Sequence, residues 1–286
     1  MNYRHSFHAG NFADVLKHLL VVACLNHLQK KEAGLFVLDA FAGIGLYDLH
    51  LEEAARSPEY LDGIVKLWDA DKAKMPIAIK NYLEILEAAT GANQRFYAGT
   101  PYLICEMLRK QDRGIFNELH PLQNEALSNN YTQYKESHGK RNVKILAQDG
   151  WNVIKSTLPP PERRGLIIID PPFEIEGEFD RMIEATKEGL KRFATGVFLL
   201  WHADKDEKQT QKYQNQMGKL GKEALFVNMR IANEDQTSGL KSNGVTIINP
   251  PFGLKEQISD AMGTLTSILS KNNGAKFEIR RISAAL

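Results

Sequence analysis

Arg164-Gly165-Leu166-Ile167-Ile168-Ile169-Asp170-Pro171-Pro172-Phe173 is the stretch that decides how this chain of 286 residues is read. Four consecutive large apolar residues are too few for a buried helix. Three of them are β-branched, so they suit a strand covered on both faces. The strand must stop at Asp170, because Pro171 and Pro172 have no N–H for a sheet and fix their own φ. A carboxylate is thereby presented at the C-terminal end of a central strand, on a stiff turn, with an aromatic ring three residues on. In open α/β sheets, ligands bind at that edge.

An acid or asparagine, two prolines and an aromatic resemble the catalytic loop of the amino-methyltransferases, which move a methyl group from S-adenosylmethionine to the exocyclic amine of adenine or cytosine. That amine is a poor nucleophile, because its lone pair is delocalised into the ring. The resemblance implies that Asp170 accepts one N–H and the Pro171 carbonyl the other. The nitrogen is then drawn toward tetrahedral geometry and its lone pair aimed at the methyl. Phe173 would stack on the base. Taken alone, the four residues also fit a strand end with a Pro-Pro helix start.

The chain is 43% hydrophobic and 25% charged, which is a globular composition with room for a sizeable core. The formal net charge of +1 announces no overall field for nucleic acid, so such a partner needs a local basic patch. Arg4, Lys17, Arg163, Arg164, Lys187, Lys191 and Arg192 are the candidates for it. Cys24 and Cys105 lack metal-ligand spacing and read as packing thiols in a reducing compartment. With no signal peptide and no apolar run near ~20 residues, the expectation is a cytoplasmic protein without a membrane span.

From the N-terminus, Tyr3-Arg4-His5-Ser6-Phe7-His8-Ala9-Gly10-Asn11 is too aromatic and imidazole-rich for a disordered tail. His5 and His8 fit either a loop tucked over the domain or a ligand-facing role. A helix follows over Phe12–Leu28, with Asn11 as its N-cap. Leu35-Phe36-Val37-Leu38-Asp39-Ala40-Phe41-Ala42-Gly43-Ile44-Gly45 reads as a buried strand, an acid and a small-residue turn. There Gly43 and Gly45 would let the backbone approach a cofactor. A lone G-x-G serves NAD equally well, but Asp39-x-Phe41-x-Gly43 resembles the loop that holds the methionine part of S-adenosylmethionine.

A ribose-gripping acid is expected about 20 residues after such a loop. The next fitting strand end, Ile115 to His120 with Glu118, comes more than 70 residues after Gly45. The intervening helical patterns, Tyr60–Asp69 and Ile77–Thr90, suggest an inserted helical subdomain at 46–93. The Rossmann-like α/β domain would then comprise 1–45 and 94–286. Thr100 is a capping candidate for a helix over Pro101–Gln111. A strand over Val143–Ala147 leads to Asp149-Gly150, where the acid is placed to accept from the cofactor's adenine. Successive strand ends thus carry Asp39, Glu118, Asp149 and Asp170. Downstream come a helix at Met182–Phe193, a strand at Thr195–Trp201, a helix at Asp206–Leu220, strands at Leu225–Ile231 and Val245–Ile248, a long loop at 232–244, and a last helix from Gln257. Asn249-Pro250-Pro251-Phe252 repeats the acid-or-asparagine, Pro, Pro, aromatic pattern. Order favours Asp170, because the catalytic loop should follow the strand after the adenine-binding acid.

Four stretches, Y-R-H-S-F-H-A-G-N-x-A-D-V-L-K-H at the N-terminus, E-L-H-P from Glu118, R-R-G-L-I-x-I-D-P-P from Arg163 and K-R-F-A-T-G from Lys191, resemble the bacterial 23S ribosomal RNA adenine-N6 methyltransferase family that acts on adenine 2030. The resemblance runs from Met1 to about Pro251. It implies a monomeric, class I Rossmann-like methyltransferase with a small inserted helical subdomain, using S-adenosylmethionine and no metal. It implies that His18, Thr100, Glu118, Asp149 and Gly150 contact the cofactor, with Asp39, Phe41 and Gly43 in the glycine loop. Asp170, Pro171, Pro172 and Phe173 would form the catalytic loop, and Tyr3 and Arg4 would meet the RNA. Phe173 stands where the family often has Tyr, so stacking survives without a hydroxyl. Phe41 stands where it can have His, which leaves backbone contact there. The rival readings are a DNA adenine methyltransferase sharing the loop and a non-catalytic RNA-binding protein.

Overall fold

The computed structural model describes residues 5–233 and 239–283. In chain order its elements are α1 (Phe12–Leu28), β1 (Phe36–Asp39), β2 (Leu46–Asp48), α2 (Glu52–Arg56), α3 (Ile64–Asp69), α4 (Ile77–Thr90), β3 (Phe96–Ala98), α5 (Thr100–Met107), β4 (Arg113–Asn117), α6 (Pro121–His138), β5 (Val143–Leu146), α7 (Gly150–Thr157), β6 (Gly165–Ile169), α8 (Glu178–Arg192), β7 (Val197–Ala203), α9 (Glu207–Gly218), β8 (Ala224–Arg230), β9 (Ser242–Ile248), α10 (Leu254–Leu269) and β10 (Lys276–Ile282).

Eight strands form one sheet in the order β10-β8-β9-β7-β6-β1-β4-β5, and β2 pairs β3 in a separate ribbon. From β5 to β7 all pairings are parallel. β9 opposes β7, β8 opposes β9, and β10 opposes β8. β1 leads on one side to β4 and β5, while β6 and β7 lie on the other. The boundary between β1 and β6 is therefore the point where the winding reverses, and a crevice opens there at the C-terminal strand ends. Every residue of β1 and β6 is buried, because helices cover both faces.

One apolar cluster lies on the face covered by α1, α4, α5 and α10, with Leu16, Leu20, Tyr82, Leu103 and Met262 among its members. The other holds Phe36, Leu38, Ile167 and Ile169 against Val153, Met182 and Ile183 of α7 and α8. The segment 46–93 carries α2, α3 and α4, and its Ile64, Leu67, Ile79 and Tyr82 belong to the first cluster, beside α1. Cys24 and Cys105 are buried free thiols; burial raises Cys24 to about 12.

Several boundaries move. α1 starts behind Asn11 as expected, with the Asn11 side chain accepting from the amides of Ala13 and Asp14. α5 begins at Thr100 with Gly99 in the capping position, so Thr100 is not a cap. α10 begins at Leu254, directly after Gly253 in a left-handed conformation. β9 begins at Ser242, which takes three residues from the expected loop. β2, α2, α6, α7 and β10 have no counterpart in the sequence reading. α6 buries only Leu127, Tyr131 and Tyr134 of its 18 residues, too few for an apolar stripe. β10 is an edge strand in which charged side chains alternate with apolar ones, and none of its residues is fully buried.

Candidate active site

Because β6, β1, β4 and β5 are adjacent and parallel, the acids that end them fall side by side in the order Asp170, Asp39, Glu118, Asp149. At ~4.8 Å between strands, the row spans about 14 Å. Asp170, Glu118 and Asp149 line one cleft of about 1640 Å³, together with His18, Phe41, Gly43, Thr100, Gly150, Pro171, Pro172 and Phe173. Asp39 is the exception. It is 1% exposed, its carboxylate turns back to the Phe41 amide at 3.3 Å, and it stands behind the cleft wall. Burial pushes its carboxyl up to about 7, against the opposing pull of Lys17. It shapes the turn rather than reaching into the cleft.

The glycine loop is tied to the next strand end. Gly43 has φ +61° and donates its amide to Glu118 Oε2 at 3.0 Å. A side chain at Gly43 would strike the Tyr47 hydroxyl. Glu118 Oε1 accepts from the His120 amide at 2.8 Å. Burial raises the Glu118 carboxyl, and these two amides oppose the rise. Asp149 Oδ1 caps α7 through the amides of Trp151 and Asn152. The ring of Phe41 lies over Gly150, so close that a Cβ there would stand 2.4 Å from it, and meets Trp151 edge-on at 4.9 Å. The left-handed glycine, the two carboxylates facing one wall and the aromatic ledge suit a nucleoside with a flexible charged arm, as S-adenosylmethionine has.

On the opposite wall, α1 contributes charge from inside the core. Lys17 Nζ meets Asp170 Oδ2 at 2.5 Å and Asp14 Oδ1 at 2.9 Å. Asp14 also holds His5 Nε2 at 2.8 Å and the Gly10 amide at 3.0 Å. Burial works against each charge, yet the partners prevail. Asp14 is held well below the usual carboxylate range and Lys17 well above the usual lysine value. His18 is fully buried and held well below its ordinary value, by burial first and by Lys17 next. It is thus a neutral ring, with Nδ1 2.7 Å from the Tyr97 hydroxyl and Nε2 3.2 Å from Thr100 Oγ1. His8 is raised by its contact with Glu59, 3.0 Å away. The two histidines of the N-terminal segment thus meet acids of α1 and of the 46–93 segment at the rim.

Phe173 takes a left-handed backbone, φ +51°, which turns its ring into an aromatic group: Phe179 lies 5.4 Å away and Trp201 5.7 Å, both edge-on. Trp201, Phe179 and Asp14 escaped the sequence reading. Asp14 had left a signal, since an acid inside an apolar helix three residues before a lysine asks for a buried partner. Tyr3 and Arg4 lie outside the described residues.

Among the described residues the expected basic patch does not assemble around this site. Lys17 is 5% exposed and committed to Asp14 and Asp170. Arg163 and Arg164 precede β6, and Lys191 and Arg192 end the antiparallel return of α8, so all four lie at the opposite end of the sheet from Asp170. Arg164 donates to the carbonyls of Leu28 and Ala33, while Lys187 and Lys191 pair with Glu184 and Glu188. Strand direction likewise separates the two Pro-Pro motifs. β9 runs against β7, so Asn249 emerges at the far edge, where its amide donates to the carbonyls of Ala194 and Gly196.

A family model described as ribosomal RNA large subunit methyltransferase D, RlmJ, matches residues 32–280. The chain belongs to that family. Its cofactor is S-adenosylmethionine, and the family methylates ribosomal RNA. Among RlmJ relatives, the ribosomal RNA large subunit methyltransferase J of Haemophilus influenzae is 37% identical over 94% of both chains. The protein of the same name from Escherichia coli is 34% identical over 94% of both. A Legionella pneumophila crystal structure superposes with a TM-score of 0.87 at 30% identity, covering 96% of this chain and 99% of that one. No helix among the described residues is long and apolar enough to cross a membrane.

Proposed function

We propose that this protein methylates N6 of a single adenine in 23S ribosomal RNA, position 2030 by family resemblance, acting as a cytoplasmic monomer. The observation that carries the chemistry is the placement of Asp170-Pro171-Pro172-Phe173 at the end of β6, in one cleft with Gly43, Glu118 and Asp149.

S-adenosylmethionine supplies a methyl group already activated on a sulfonium. Gly43 and its neighbours hold the amino-acid arm, Glu118 accepts from the ribose hydroxyls, and Asp149 and Phe41 receive the adenine. On the substrate side, Lys17 holds Asp170 through Oδ2, which leaves Oδ1 to accept one N–H of the target amine. The Pro171 carbonyl accepts the other. Phe173, held edge-on by Phe179 and Trp201, stacks on the extruded base. The proton released from N6 leaves through the site's acceptors after or during transfer. The segment 46–93 acts as an inserted subdomain that brings Glu59 to the rim.

The test incubates labelled S-adenosylmethionine with unmodified 23S rRNA and, separately, with duplex DNA, using wild type and Asp170→Ala, and maps the label. Label at one adenine N6 of the RNA, reduced by at least ~10²-fold in the variant while calorimetry shows intact cofactor binding, is the expected result. Label in DNA alone would replace the substrate class. Label in Asp170→Ala at the wild-type rate would remove the catalytic role.

A further inference from the structure

Four side chains from four elements meet in a row that ends at the cleft. Tyr82 stands on α4, Tyr97 on β3, His18 on α1 and Thr100 at the start of α5. Tyr82, Tyr97 and His18 are fully buried, while His18 and Thr100 form part of the cleft wall. The Tyr82 and Tyr97 hydroxyl oxygens are 3.0 Å apart. The Tyr97 hydroxyl lies 2.7 Å from His18 Nδ1, and His18 Nε2 lies 3.2 Å from Thr100 Oγ1. Gly99, next to Thr100, donates its amide to the Gly45 carbonyl at 2.9 Å, so the row ends beside the glycine loop.

Proton counting gives the row a direction. Burial holds both phenols well above their ordinary value, so each keeps its proton. Among the described residues the Tyr82 hydroxyl has no partner but Tyr97, so the Tyr82 proton goes to the Tyr97 oxygen. The Tyr97 proton then has one acceptor left, His18 Nδ1. The reverse order would bury the Tyr82 hydroxyl proton without an acceptor, which is the costly alternative. A neutral imidazole that accepts at Nδ1 carries its proton on Nε2. Asp14 Oδ1, 3.9 Å from Nε2, favours an N–H on that side as well. Nε2–H donates to Thr100 Oγ1, which has no other partner among the described residues, and the Thr100 proton is left for the cleft. Every donor points the same way, so each bond polarises the next.

We propose that Tyr82 and Tyr97 are positioning residues that fix His18 as the Nε2–H tautomer and so aim the Thr100 hydroxyl proton at the carboxylate of the cofactor's methionine arm. The proposal rests on the S-adenosylmethionine reading of the cleft and adds which end of the cofactor the row serves. A terminus that can only donate suits an anion, and the arm's carboxylate is the anion that the neighbouring glycine loop brings within reach. Glu118 and Asp149, acceptors both, are left to the ribose and the adenine. Neither tyrosine lines the cleft, and α4 belongs to the segment 46–93. That segment therefore acts on the cofactor from behind the wall.

The experiment compares wild type with Tyr97→Phe, Tyr82→Phe and a control for the loss of any buried tyrosine hydroxyl, Tyr131→Phe, whose hydroxyl donates to the Arg141 carbonyl. Calorimetry measures binding of S-adenosylmethionine and of decarboxylated S-adenosylmethionine. NMR of protein carrying isotope-labelled histidine reads which ring nitrogen of His18 holds the proton. Wild type should hold it on Nε2. Tyr97→Phe should release the tautomer and weaken S-adenosylmethionine binding roughly tenfold, while binding of the decarboxylated analogue changes by less than about twofold. Tyr82→Phe should show the same pattern at about two- to threefold. Tyr131→Phe should bind both ligands as wild type does. A proton on Nδ1 in the wild-type protein, Tyr97→Phe binding at the wild-type affinity, or equal losses for the two ligands would overturn the chain while the methyltransferase reading stood. A wild-type protein that binds neither ligand would overturn both.

Discussion

Asp14→Asn tests whether the buried charges of α1 hold the site together. The substitution keeps the shape and removes the charge that Lys17, His5 and the Gly10 amide share. Stripping one partner from a buried ion pair costs ~3–5 kcal/mol. Lys17 keeps Asp170, so the lower end applies: about 3 kcal/mol, or a melting temperature lower by roughly 6–12 °C for a chain of this size. The pH dependence carries the sharper signature. Asp14 titrates below its ordinary 3.8 in the folded protein, so its stabilisation is fully present above that value and fades as pH falls through the folded one. Lys17 titrates above 10.5, so its share is intact at every pH below that. Urea unfolding should therefore show the full deficit at neutral pH and convergence toward wild type only as pH falls well below 3.8. A double-mutant cycle with Lys17→Met should give a coupling above ~1 kcal/mol. A neutral-pH deficit under ~1 kcal/mol, or one that does not change with acidification, would refute the reasoning.

Gly150→Ala forces a methyl group against the Phe41 ring and the Ala40 carbonyl. It should cost ~1–3 kcal/mol of stability by chemical denaturation and weaken cofactor binding by calorimetry. Phe173→Ala should lower kcat/KM roughly 5- to 150-fold, the equivalent of ~1–3 kcal/mol of base stacking, while Phe173→Tyr keeps the rate within a few-fold of wild type. Asn249→Ala removes two hydrogen bonds to the turn before β7. It should destabilise the fold by ~1–3 kcal/mol, yet leave methylation per folded molecule unchanged, which separates the two Pro-Pro motifs by assay.

What was legible in the sequence followed from strong local signals. Ile167 to Ile169 with the following prolines placed β6 and its end, and the apolar repeat of α1 placed its helix and cap. The row of strand-end acids emerged because each follows a short apolar run. Pairings across the sheet left no such trace. The chain shows Lys17 as one basic residue among many, and only the approach of α1 to β6 reveals it as the partner of Asp170. The direction of α8, fixed by the parallel crossover, carried Arg192 away from the site. α6 and β10 lacked signal for opposite reasons: one is a helix with a narrow buried stripe, the other an edge strand with one face in water.

Lys17 and Asp170 are 153 residues apart, yet they meet at hydrogen-bonding distance. On a translating ribosome, at about 5–20 residues per second, α1 waits roughly 8–30 s before the strand that satisfies its lysine has been synthesised. Throughout that interval the nascent chain has no finished site. A protein whose substrate is the RNA of the machine that makes it therefore lacks this pair until well past the middle of its own synthesis.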